Sequence, residues 1–294
     1  MEYVNRYAEM FRAKNRSFVQ MDGQLFVRKA RWIAPSGPAL QAYRLDEAQC
    51  RELLHQLGGW WVMWTDGFGA HAADSEWHSV ICRRHLPVEE VASGNTRSKI
   101  RRGLKNCSVR QVEVQEIAQN GYETYCAALG NYGKRADTLP TPEAFARRVM
   151  TDEPFGDIRH QWAVYHEGQM VGFAQNLLYD KAEVDYTLIK LHPKYLNRYS
   201  SYALFYSMNE HYLSREGFQY VNDGFRSVSH ETGIQEFLVK EFGFQKEKTG
   251  LHVYYRPPLG PLLKMARPFR SLAASLYSPS RAIFELDRLK IESP

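Results

Sequence analysis

The chain alternates between two hydrophobic periods, and the switches between them mark its elements. Residues 17–20 and 24–32 are β-prone runs on either side of Asp22-Gly23, a tight-turn pair that predicts a hairpin. Residues 45–57 carry apolar side chains at helical spacing, with Asp46 near the helix start. Residues 60–64 and 77–82 read as strands separated by a Gly/Ala/Asp loop. The first eleven residues are mixed and polar, and no element is assigned to them.

From residue 108 the pattern becomes orderly. Residues 109–114 predict a strand and 115–129 a helical run. Residues 142–150 begin another helix, with Thr141 as N-cap and Pro142 in the first turn. Three strands then arrive close together, at 161–165, 170–179 and 183–191. A helix over 200–215 closes at Gly217, a short strand covers 220–222, and a helix over 233–242 closes at Gly243. Strands at 244–246 and 251–255 end before Pro257-Pro258. The expected fold class is α/β (α+β): a mixed, largely antiparallel sheet flanked by helices over 96–258, preceded by a smaller α/β unit over 1–95 and followed by a tail over 259–294.

Composition narrows the class. With 294 residues, 44% hydrophobic and 24% charged, the chain can bury a core without a disulfide or metal staple. Cys50, Cys82, Cys107 and Cys126 are far apart, show no metal-ligand spacing and read as reduced thiols. No run of about 18 apolar residues and no signal-length segment occurs, so the expectation is a cytoplasmic protein without a transmembrane helix. A net charge of +5 is small for a nucleic-acid binder, so any basic function is local.

Two segments concentrate charge. Arg97, Lys99, Arg101, Arg102, Lys105 and Arg110 come with no acidic residue between them, and Ile100 and Leu104 stand at i and i+4 as a docking face. This helix reads as a solvated surface, as a dock for a polyanion (tRNA, or a phosphorylated lipid or sugar), or as a hinge. In the tail, Leu262, Met265, Ala266, Phe269, Leu272, Ala273 and Leu276 recur at helical spacing beside Lys264, Arg267 and Arg270. That pattern suits a helix packed back on the body, or one in peripheral contact with a membrane or a partner.

The element order from residue 108 to 256 resembles the GNAT acyltransferase superfamily, over about half of the chain. Leu191-His192-Pro193-Lys194-Tyr195 stands where that family ends its fourth strand, and Phe242-Gly243-Phe244 where its last helix gives way to a closing hairpin. A finer resemblance is to FemAB-like acyltransferases, which carry two GNAT-like units, and it implies that residues 1–95 are a trimmed GNAT-like unit. It rests on the basic run with Ser108-Val109-Arg110, on Asn222-Asp223-Gly224 and on the segment from Phe237 to Gly243. The resemblance implies an N-acyltransferase that moves an acyl or aminoacyl group from a thioester or ester to an amine on a sugar, lipid or peptide. The donor would be acyl-CoA or another activated species such as aminoacyl-tRNA, and no metal is implied.

The resemblance also implies where the chemistry sits. The fourth and fifth strands would splay, with backbone N–H groups over Asp185 to Leu191 meeting the donor carbonyl. A turn opening the next helix would hold phosphates, with Arg198, Ser200 and Ser201 as its donors and Tyr199 crowding the place of the pyrophosphate. Tyr199 and Ser201 stand where glycines are usual, and Val239 where a tyrosine acid is frequent. Asp185 and Tyr186 alternate on the fourth strand, so one faces the cleft. Asp223, beside Gly224, ends the fifth strand; Arg226, Ser229 and His230 follow in a loop. Gln175 and Asn176 are polar in an apolar strand, and one of them is a candidate for substrate. Asp185, Tyr186, Asp223 and His230 are therefore the catalytic candidates, and Gln175, Asn176 and Arg226 the substrate-binding ones. A non-catalytic GNAT-like scaffold and a nucleic-acid-binding protein are the competing readings.

Overall fold

The computed structural model describes residues 3–69, 75–131, 138–227, 233–269 and 278–291. The chain divides into two compact units, one made of Met1–Val80, Phe225–Glu236 and Lys246–Pro294, the other of Ile81–Gly224 and Phe237–Gln245.

The first unit begins with a helix that the polar pattern did not predict, α1 (Tyr3–Ala13). Its buried face is Tyr3, Val4, Tyr7, Ala8, Met10 and Phe11, a helical repeat in which two tyrosines serve as core residues. The expected hairpin follows as β1 (Phe18–Met21) and β2 (Gln24–Lys29), with Asp22 and Gly23 at φ 51° and 72° in the turn. After β3 (Trp32–Pro35) comes α2 (Glu47–Leu57). Asp46 caps it by accepting the Gln49 N–H at 2.8 Å, while the Gln49 side chain returns to the Asp46 N–H at 2.9 Å. β4 (Trp61–Thr65) and β5 (His78–Cys82) complete this part.

The second unit carries α3 (Gly94–Asn106) and β6 (Ser108–Val112). The run expected over 115–129 is broken at Gly121 into α4 (Val114–Asn120) and α5 (Tyr122–Asn131); a Cβ at Gly121 would lie 2.7 Å from the Ile117 carbonyl. α6 (Pro142–Met150) starts at Thr141, whose Oγ1 accepts the Ala144 N–H at 3.3 Å. β7 (Arg159–His166), β8 (Gln169–Tyr179) and β9 (Glu183–Leu191) form an antiparallel meander. α7 (Ser200–Asn209) then widens into a π-turn, Glu210–Arg215. That turn sets Tyr212 wholly inside, where its hydroxyl accepts Trp162 Nε1–H at 2.7 Å. β10 (Tyr220–Phe225) and α8 (Gly233–Phe242) follow. On one face of the meander, α4, α5 and α6 close a core of Val112, Ile117, Phe145, Val149, Ala163 and Phe173.

The last two strands correct an expectation. β11 (Gln245–Lys248) and β12 (Leu251–Tyr255) do not form a hairpin. One sheet runs β1-β2-β3-β4-β12, and the other β11-β5-β10-β9-β8-β7-β6. The reason is Asp66: its carboxylate accepts the Gly250 N–H at 2.9 Å and lies 3.2 Å from His252 Nε2, drawing the link toward β4. β12 then pairs with β4 from Leu251↔Thr65 to Tyr255↔Trp61. α9 (Leu259–Ala266) and α10 (Ser278–Leu289) end the described chain. No described helix is long and apolar enough to cross a membrane.

Candidate active site

β9 and β10 are parallel neighbours with a short ladder. Pairing runs Tyr220↔Glu183, Val221↔Val184, Asn222↔Asp185 and stops, although β9 continues to Leu191 and β10 to Phe225. On its other edge β9 stays paired to β8 as far as Leu191↔Gly172. One edge of β9 therefore loses its neighbour from Tyr186 onward and presents backbone N–H and C=O groups to the fork. A β-bulge lies at the same point. Leu177 opposes Asp185 and Gln175 opposes Leu188, so Tyr186 and Thr187 face Asn176 alone. The extra residue bends and twists β9 where β10 leaves it.

The base of the fork is a buried polar cluster. Partners in register share a face, so Glu183 and Asp185 stand with Tyr220 and Asn222. Glu183 is buried and accepts from Tyr220 Oη and from Asn222 Nδ2, the latter at 2.9 Å. Asn222 Oδ1 accepts the Gly224 N–H at 2.8 Å, and Gly224 sits at φ 92°, a conformation that favours glycine. Asp223 is thus held between two fixed residues. It is half-buried. Burial, and then the negative charge of Asp185, pushes its carboxyl up to about 8. A carboxyl that titrates near neutrality suits proton transfer in both directions.

Tyr186 is sunk beneath α7, with its hydroxyl donated to Asn209 Oδ1 at 2.8 Å and burial holding its phenol well above the ordinary value. Asn176 is fully buried and donates to the Tyr212 hydroxyl at 3.2 Å. Gln175 is buried too; it accepts from Arg159 at 3.2 Å and donates to Asp152 Oδ2 at 3.3 Å. Arg226 pairs with Glu76 and Glu285, each at 3.2 Å, within a network that also holds Arg288. Ser229 and His230 lie outside the described residues.

The turn after β9 keeps the backbone that a glycine would supply. Tyr199 has φ 62° and ψ 33°, the left-handed region, and α7 starts at the next residue. The first N–H groups of α7 are the ones an α-helix leaves without intrahelical partners. Ser200 is fully buried and its Oγ donates to Tyr195 O at 3.1 Å; Ser201 and Leu191 are half-buried and Arg198 is exposed.

The basic helix packs onto this turn, an arrangement no local sequence signal foretold. α3 rests on α7 through Gly103, where a Cβ would stand 2.6 Å from the Tyr199 carbonyl and 3.1 Å from Ala203 N. Leu104, expected on the docking face, is 40% exposed; the face is Thr96, Ile100 and Gly103, because only a residue without a side chain lets the two backbones meet. Arg102 Nη1 donates to the Tyr199 hydroxyl at 3.3 Å, and Asn106 Nδ2 to Arg198 O at 3.4 Å. Lys99 is held by the Tyr202 hydroxyl at 3.0 Å and by Glu241 at 3.7 Å. Arg101, Arg102 and Lys105 are exposed.

Solved structures share the overall fold. The C-terminal domain of an Agrobacterium fabrum protein assigned as a lysylphosphatidylglycerol synthetase superposes with a TM-score of 0.54 at 14% identity, over 86% of this chain and 91% of that one. FemX superposes with a TM-score of 0.53 at 12% identity, over 88% of this chain and 92% of its own. This chain has the GNAT-type fold. No protein-family model matches the sequence, and no curated protein does. Counted from β6, β9 and β10 are the fourth and fifth strands in chain order, and their ladder ends at Asn222↔Asp185. A surface cavity of about 880 Å³ lies elsewhere in the GNAT-type unit, lined by Glu116, Glu123, Tyr122, Tyr165 and Gln169 among others, none of them on β9 or β10. Its size does not make it the site: Glu116 there is taken by Arg110 and by the Tyr165 hydroxyl.

Proposed function

We propose that the chain is an N-acyltransferase of the FemAB-like kind, with the reaction at the β9–β10 fork. The observation that carries this reading is the end of the ladder at Asn222↔Asp185, beside an Asp223 carboxyl raised to about 8. An amine in the fork attacks the donor carbonyl carbon; a C–N bond forms and the C–S or C–O bond to the leaving group breaks. The β9 N–H groups beyond the bulge stabilise the oxygen as charge develops on it. Asp223 takes the proton the amine loses and returns it to the departing thiolate or alkoxide. One carboxyl doing both steps is consistent with Val239 at the position of the tyrosine acid. Burial, and second to it the charge of Asp185, keeps the Asp223 proton affinity high.

For the donor, Arg102 at the turn of Tyr199, with Arg101 and Lys105 exposed on the same helix, favours a polyanionic carrier held by side chains, as in an aminoacyl-tRNA, over a coenzyme pyrophosphate seated on glycine backbone. Thermal-shift titration with acyl-CoAs and with charged tRNA, followed by transfer to free amines, tests the reading. Stabilisation by neither donor class counts against it. Reversing Arg101, Arg102 and Lys105 to Glu is expected to weaken tRNA-type binding at least tenfold and to flatten its salt dependence by a log–log slope of about 2–3, as three phosphate contacts would contribute. Binding that ignores both salt and the triple reversal would instead favour a coenzyme donor.

A further inference from the structure

The three most exposed large apolar side chains among the described residues all belong to the first unit: Met265 at 74%, Leu262 at 54% and Trp60 at 52%. Arg256 ties them together. Its N–H donates to Trp60 O at 2.9 Å, and its carbonyl accepts the Leu259 N–H at 2.7 Å, where α9 begins. Trp60 in turn donates its backbone N–H to Arg31 O at 2.7 Å, so the main chains of two exposed arginines adjoin that of Trp60. α9 turns Leu263 inward, 6% exposed, and leaves Leu262 and Met265 outward at i and i+3, with exposed Lys264 between them. Residues 249–284 contain no Asp or Glu.

We propose that this surface, Trp60 with Leu262 and Met265 and the exposed cations Arg31, Arg256 and Lys264, docks the chain on an anionic lipid bilayer. The charge is one-sided along the segment that carries Leu262 and Met265, since residues 249–284 hold Arg and Lys but no Asp or Glu. A tryptophan beside aliphatic side chains and snorkelling cations is the chemistry of the headgroup–acyl boundary. A nucleic acid would use the charges but gain nothing from Leu262 and Met265. None of these residues lies on β9 or β10, so the test does not depend on the acyl-transfer reading.

The test is co-sedimentation of the full chain with phosphatidylcholine vesicles, with and without phosphatidylglycerol. Binding is expected to anionic vesicles only, to weaken at high salt, and to shift tryptophan emission to the blue in a way lost in Trp60→Ser. Leu262→Ser with Met265→Ser should reduce binding at least tenfold, given roughly a tenfold gain for each such side chain inserted. Arg256→Glu with Lys264→Glu should do so by a similar factor. All these positions are exposed, so melting temperatures should stay unchanged, and Leu40→Ser, another exposed leucine of the same unit, should bind as the wild type does. Absence of binding to anionic vesicles at low salt, equal binding to neutral vesicles, or binding that survives the Leu262/Met265 double substitution overturns the proposal.

Discussion

Asp223→Asn is expected to lower the transfer rate by about 10²–10⁴-fold, the range for losing a general base, while making the folded protein more stable at alkaline pH. The two effects share a cause. The Asp223 carboxyl is raised from 3.8 to about 8, by burial first and by Asp185 second. Because the folded-state value lies above the unfolded one, the native state holds a proton that the unfolded chain has released between those two values. Wild-type stability from this group is fully present below about pH 4 and is lost as pH rises through about 8. Asparagine carries no such penalty. The stability difference, variant minus wild type, should grow by roughly 2–4 kcal/mol between pH 4 and pH 8 and level off above it, read from urea denaturation across pH. The rate of the wild type should climb toward pH 8 as the base ionises. In Asp185→Asn the climb should move to lower pH, but only part of the way, since burial is the larger cause and remains. A rate in Asp223→Asn within about threefold of wild type would remove Asp223 from the reaction.

How much of this was legible in the chain follows the range of each interaction. The Asp22-Gly23 turn, the Asp46 cap and the Thr141 start are set by neighbours within four residues, and each stands where the sequence pattern put it. α1 was missed because Tyr3 and Tyr7 count as polar in a pattern yet are buried as core. The β11–β12 hairpin failed for a different reason: its partner choice is made by Asp66, distant along the chain. The fork itself lies between these cases. That residues 183–191 and 220–222 are strands is a local fact, whereas the end of their ladder at Asp185, and the bulge facing Asn176, depend on register with β8 and β10. Glu183, the buried carboxylate that fixes the fork's base, carried no local signal at all. Read alone, it is an ordinary charged residue at a strand start.

Gly103→Ala is expected to destabilise the protein by about 2 kcal/mol or more, against the sign that helix propensity alone gives. In an open helix interior the same change stabilises by about 0.5–1 kcal/mol. Gly103 is not open: the new Cβ would stand 2.6 Å from the Tyr199 carbonyl and 3.1 Å from Ala203 N. Both are backbone atoms of the turn and of α7, so no flexible side chain can yield, and the two helices must part. Gly130, in α5, provides the contrast, because a Cβ there meets nothing within 4 Å and Gly130→Ala should be neutral or stabilising by up to about 1 kcal/mol. Chemical denaturation of both variants separates the cases, and a stable Gly103→Ala would mean that α3 does not rest on the turn. The consequence reaches function through Arg102. Its bond to the Tyr199 hydroxyl exists only while α3 lies on α7. Parting the helices at Gly103 should therefore weaken donor binding even though position 103 is buried and touches no ligand, and Arg102→Ala should weaken it without the loss of stability.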